Sequence, residues 1–132
     1  LIALAAAGLP AAYAPKQRFR EALELVERER APGDVVAVFD QAAVALRDFY
    51  GADWRLARSG EDLTFAAPAS GRLWVVYAFP VAFGEHHPEA LAMLDARFEQ
   101  VARFEGTVAG GDVAVWRSAA AGERRDGTTS GR

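Results

Sequence analysis

Two uninterrupted apolar runs, Val35–Phe39 (VVAVF) and Leu73–Phe79 (LWVVYAF), constrain what this chain can fold into more than any other feature. Each is short and rich in β-branched and aromatic residues. Turn formers precede both: Ala31-Pro32-Gly33 and Asp34 before the first, Pro68 to Gly71 before the second. A strand wetted on one face alternates polar and apolar residues. A run with no polar interruption reads as a strand buried on both faces, the environment of a parallel sheet with helices on either side.

The segments around these runs carry helical periodicity. Phe19, Ala22, Leu23 and Val26 share one face of a helix predicted over Pro15 to Arg30, with Pro15 in its first turn. Ala42, Ala45, Leu46, Phe49 and Tyr50 make a second stripe, with Asp40 as a candidate N-cap and Gly51 as the stop. Trp54 to Ala57 reads as a short strand. Ser59 with Asp62 resembles an acidic capping box that starts a short helix near Glu61 to Ala67. Pro80 to His87 reads as a loop. Pro88 opens a long helix in which Leu91, Leu94, Phe98 and Val101 lie on one face. Phe104–Ala109 and Val113–Arg117 read as a hairpin around Gly110-Gly111-Asp112. Strands alternating with helices predict a three-layer α/β fold, with a mainly parallel sheet and an antiparallel C-terminal hairpin.

Length and composition set the outer limits. A chain of 132 residues is one domain in size. The hydrophobic share of 52% against 25% charged residues excludes wholesale disorder. A net charge of −3 gives no basic footprint for nucleic acid. With no cysteine, disulfides, thiol catalysis and zinc–cysteine sites are all excluded. Lys16 is the only lysine, so the arginine count reads as a compositional bias rather than as phosphate recognition.

The ends differ from the body. Leu1–Ala14 is uncharged, almost wholly apolar and shorter than the roughly 20 residues that cross a bilayer. It reads as the last turns of a transmembrane helix, with Tyr13 at the interface and Lys16, Arg18 and Arg20 beyond; the alternative is an amphipathic or buried N-terminal arm. Residues 15–118 form the single α/β domain. Residues 119–132, polar and glycine-containing, read as a disordered tail.

Chemistry-bearing motifs are few. Val35–Phe39 leads into Asp40-Gln41-Ala42 and not into a glycine-rich phosphate loop. No serine stands in a nucleophile-elbow frame. His86-His87 is the one histidine cluster, and two histidines fall short of a metal's usual three or four ligands. No cofactor and no catalytic residue is therefore expected. The fold class directs attention to the carboxyl ends of the strands. There the candidate rim is Asp40, Glu85, His86 and His87. Each also has a structural reading, Asp40 as a helix cap and His87 as the N-cap before Pro88.

One family resemblance emerges from the order of segments. Tyr13-Ala14-Pro15-Lys16 leads into Phe19-Arg20-Glu21-Ala22. Pro32-Gly33-Asp34-Val35-Val36 follows, then Gly71-Arg72-Leu73-Trp74-Val75-Val76, and finally Phe104-Glu105-Gly106 with Val113-Ala114-Val115-Trp116. This resembles the soluble C-terminal domain of bacterial polytopic membrane glycosyltransferases, relatives of the dolichyl-phosphate-mannose protein mannosyltransferases and of the lipid A aminoarabinose transferase. The resemblance implies a parent enzyme that moves a sugar from a polyprenyl-phosphate carrier at the periplasmic face of the inner membrane. Its partners would be the membrane part of its own parent chain, a lipid-linked sugar or the membrane surface. The family's acidic catalytic motif lies in an early loop that has no counterpart here, so no active-site residue is carried over. The alternative expectation is an α/β domain that binds a small molecule or a protein partner.

Overall fold

The computed structural model describes residues 19–106 and 112–119. The expected membrane-helix end, the Gly110-Gly111 turn and the tail from residue 120 lie outside the described residues. Helix α1 (Phe19–Glu29) leads to strand β1 (Val35–Phe39). Next comes α2 (Asp40–Ala43), which runs on as a wider π-type turn over Val44–Phe49. Strand β2 (Arg55–Ala57), helix α3 (Gly60–Ala66) and strand β3 (Leu73–Ala78) follow. Helices α4 (Pro80–His86) and α5 (Pro88–Arg97) then lead to strands β4 (Phe98–Phe104) and β5 (Val113–Ser118).

The five strands form one sheet in the order β2-β1-β3-β5-β4. The two apolar runs are its parallel centre, with Val35 opposite Leu73 and Val38 opposite Val76. β2 is parallel to β1, whereas β5 is antiparallel to both β3 and β4. The sheet is therefore mixed and not mainly parallel. The reason is that the chain past α5 supplies two full strands, and the first of them begins earlier than its sequence indicates.

Side-chain alternation sorts the apolar runs between two cores. Val36, Val38, Trp74, Val76, Val113 and Val115 face α1 and α2, where Ala22, Val26, Ala42 and Leu46 meet them. Ala37, Phe39, Val75, Tyr77, Ala114 and Trp116 face α3, α4 and α5, where Leu63, Phe83, Ala90 and Leu94 meet them. All six residues of β3 are buried, as a strand covered on both faces requires. Each buried tryptophan has a partner for its indole N–H. Trp54 donates to Glu27 at 2.7 Å, Trp74 to Asp34 at 2.9 Å and Trp116 to the Tyr77 hydroxyl at 3.0 Å.

Three local expectations are corrected. Pro80–His86 is helical, not a loop, because Pro80 takes the first helical position after a left-handed Phe79. The helix opened by Pro88 ends at Arg97, so Phe98 and Val101 belong to a strand. Phe98, Val101 and Phe104 suit a sheet as well as a helix face, and pairing with β5 decides between them. β4 accordingly ends at Phe104, where the hairpin's first strand was expected to begin; a bulge shifts its register between Gln100 and Ala102. The Ser59 cap is present, accepting from Asp62 N–H at 3.4 Å. The return bond of the capping box goes one residue further, from Arg58 N–H to the Asp62 carboxylate at 2.7 Å.

The entry to the sheet is built around Asp34, which is only 8% exposed. Its carboxylate accepts from Ala31 N–H, Arg72 N–H and the Trp74 indole, each at 2.9 Å. Two glycines permit this approach, Gly33 with φ +93° and Gly71 with φ +89°. A Cβ on Gly71 would lie 2.8 Å from Gly33 O and 3.0 Å from Asp34 Oδ1. Burial pushes the Asp34 carboxyl up, but the bonds from Ala31, Trp74 and Arg72, with the Arg72 charge, outweigh it and hold it below its ordinary 3.8.

A depressed carboxyl stabilises the fold above its unfolded value, and that stability is lost as pH falls through the folded value. Asp34→Asn should cost about 2–4 kcal/mol at neutral pH, because it leaves buried donors unmatched. It should also flatten the loss of stability on acidification below about pH 4. Gly71→Ala should cost about 1–3 kcal/mol through strain at positive φ and the close contact. Urea unfolding of each variant across pH measures both effects.

Candidate functional site

β1 lies between β2 and β3, and the chain leaves it for one neighbour and returns to the other. The carboxyl ends of β1 and β3 therefore border the switch point of the sheet, where α/β folds place their ligands. Asp40 follows β1 there, and Phe79 follows β3. Both have left-handed backbones, with φ +50° and +55°, the two non-glycine residues with positive φ among those described. Aspartate tolerates this region through local hydrogen bonding, whereas phenylalanine there is strained. Phe79 is held by its N–H, which donates to Asp112 O at 2.9 Å, and by its carbonyl, which accepts from Phe83 N–H at 2.9 Å.

Asp112 is itself fixed at the mouth of the β4–β5 connection. Its carboxylate accepts from Arg103 Nε at 2.8 Å and from Gly106 N–H at 3.2 Å. The Arg103 bond, with that from Gly106, holds the Asp112 carboxyl below its usual range.

The structure brings two of the four expected rim residues together. Asp40 Oδ2 and His87 Nε2 are 2.9 Å apart. His87 occupies the N-cap position of α5, as its place before Pro88 predicted, but its ring makes no cap bond and reaches across to β1 instead. Asp40 likewise opens α2, and its carboxylate engages His87. Glu85 and His86 are exposed on α4 and take no part in the pair; the His86 ring centre lies 6.4 Å from that of His87.

The His87 ring rests against Phe39 at 5.1 Å and Phe83 at 5.2 Å between centres. Phe39 meets Phe83 edge to face at 4.9 Å, and Phe83 stacks on Tyr77 at 3.8 Å. Burial pushes the Tyr77 phenol up, opposed by the Trp116 indole bond to its oxygen. An aromatic column thus runs from the rim into the core beneath α4.

The pair orients one imidazole and pins the α4–α5 junction to the end of β1. Among the described residues no three His, Cys, Asp or Glu side chains are grouped to hold a metal ion. From the sequence, Tyr77 and Phe79 read as packed residues of a buried strand, and nothing marks the left-handed turn at Phe79 or the aromatic column. The Phe79-Pro80 bond marks a backbone restriction but not a left-handed one, and Phe83 falls in the segment read as a loop. Comparison of the chain with protein families, curated proteins and solved structures finds no match.

Backbone geometry at Asp40 predicts an ordered series of stabilities. Asp40→Asn, which suits a left-handed backbone, should cost under about 1 kcal/mol, the worth of an exposed ion pair. Asp40→Val should cost about 1–3 kcal/mol more, because a β-branched residue resists positive φ. Equal losses in denaturant titrations of the two variants would show that the backbone at Asp40 is unstrained.

Proposed function

We propose that this chain is an accessory extracytoplasmic domain of a bacterial polytopic membrane glycosyltransferase. The parent enzyme would take its sugar from a polyprenyl-phosphate donor. The domain would present a surface to the membrane part of that enzyme rather than supply a reaction centre. The observation that supports this reading is where the resembling segments lie. Pro32–Val36, Gly71–Val76 and Val113–Trp116 contribute the adjacent strands β1, β3 and β5. The first two are bound to each other through Asp34. Segments scattered over the chain thus form one physical unit.

A second reading, a domain that binds a small molecule or a protein partner, is favoured by the switch-point rim with its Asp40–His87 pair. Among the described residues no helix is long and apolar enough to cross a membrane. On the first reading, a membrane attachment would lie outside the described residues.

The two readings separate by experiment. On the first, the gene upstream of Leu1 encodes a series of hydrophobic spans. Purified residues 15–121 transfer no sugar from a polyprenyl-phosphate donor. Membranes that hold the parent enzyme with Asp40→Ala or His86→Ala keep their transferase activity. A start codon or a signal peptide directly before Leu1 would overturn the reading, as would turnover by the isolated domain that His86→Ala abolishes.

A further inference from the structure

Phe79 is the single residue between β3 and α4. Its N–H donates to Asp112 O at 2.9 Å, one step beyond the Ala78–Val113 pair, and so makes the last rung between β3 and β5. Its carbonyl accepts from Phe83 N–H at 2.9 Å and so opens α4. A left-handed backbone, with φ +55° and ψ +69°, lets one residue serve both elements. That backbone is disfavoured on two counts. A residue with a Cβ loses roughly tenfold in population on entering this region. A residue before proline is pushed toward extended backbone.

Two contacts oppose its relaxation. Phe83, one turn into α4, is buried against Phe39 and Tyr77. Asp112 is clamped by its own carboxylate, which takes Arg103 Nε at 2.8 Å and Gly106 N–H at 3.2 Å. The clamp ties the acceptor of the Phe79 N–H to the end of β4. Beyond Phe83 the backbone ladder continues with His87 N–H on Phe83 O at 2.8 Å. The direction α4 takes at Phe79 therefore decides where the His87 ring comes to lie, and here it lies 2.9 Å from Asp40.

We propose that Phe79 is a two-state hinge, left-handed while Asp112 is clamped and extended when it is released, and that the change carries His87 toward or away from Asp40. Asp112 is the positioning residue, acting through the Phe79 N–H. In the extended state Phe83 leaves Tyr77, and the Asp40 carboxylate loses its imidazole neighbour. Whatever favours one position of His87 is then coupled to the ends of β4 and β5, and the coupling runs equally in reverse. The inference holds for either reading of the domain's function, because it uses only contacts within the fold.

The test is amide hydrogen exchange on the full chain, followed by NMR. Asp112→Ala removes both clamp bonds and leaves the carbonyl in place. The amides of Phe79, Phe83 and His87 should then exchange about tenfold faster, the cost of the left-handed state no longer being opposed by the clamp. The nuclear Overhauser contact between the His87 and Phe39 rings should weaken in step, while the β1 amides keep their rates. Two further variants separate a hinge from ordinary packing. Phe79→Gly removes the penalty on the left-handed state, and in that background Asp112→Ala should speed the same amides by less than about twofold. Phe79→Ala loses the same ring but keeps a Cβ, and there the full acceleration should return. If Asp112→Ala does not fold, Arg103→Gln, at a half-exposed position, should give the same pattern at smaller amplitude. Unchanged α4 amides would overturn the proposal. So would equal acceleration of the β1 amides, or the same response in the Gly and Ala backgrounds.

Discussion

A parallel pair of strands that are apolar on both faces can slip against each other and still bury apolar side chains. Hydrophobic pattern alone therefore specifies the register of β1 and β3 weakly. The Asp34 carboxylate removes that freedom. It must meet Ala31 N–H on its own side, and Arg72 N–H and the Trp74 indole on the other. Only the pairing that sets Val35 against Leu73 brings all three donors to it. A slip would strand a buried charge, which costs far more than a few lost apolar contacts. The two glycines beside it follow from the same requirement, because the carboxylate is reached only if Gly33 and Gly71 turn with positive φ.

From that fixed register the rest of the sheet is placed. Alternate residues of β1, β3 and β5 divide between two cores, and each core sets the position of its helices. The two ends of β3 then acquire different characters. At its carboxyl end, beside that of β1, left-handed backbones at Phe79 and Asp40 are accompanied by the Asp112 bond and the His87 contact, above a column of aromatic rings. At its amino end, arginines from three separate segments converge beside β5.

The sequence revealed the central architecture because buried strands and helix punctuation are local signals. VVAVF and LWVVYAF could be read directly, as could the proline and glycine stops, the Ser59 cap and the position of His87 before Pro88. Pairing is non-local and was less visible. Phe98, Val101 and Phe104 fit a helical face and a strand equally well until β5 lies beside them. At the rim, strand-end position brought Asp40 and His87 forward together with Glu85 and His86. Which of the four meet depends on the path of α4, a segment read from the sequence as a loop. Arg72, Arg97 and Arg117 stand far apart in sequence, and their abundance looked like composition. Their convergence is a property of the mixed sheet, and no window along the chain contains it.

The sheet also ends differently on its two sides. An unpaired edge strand invites a second chain to extend it, and that is how many sheets begin to aggregate. Here one edge, β2, is three residues long and offers little to extend. The other, β4, is seven residues long and would be the hazard. It is the strand that carries the bulge between Gln100 and Ala102, with the ionic side chains of Glu99 and Arg103 on either side. The break in the ladder and the flanking charges make β4 a poor template for a foreign strand. The domain thus guards its long border against self-association with a one-residue irregularity and the charges beside it.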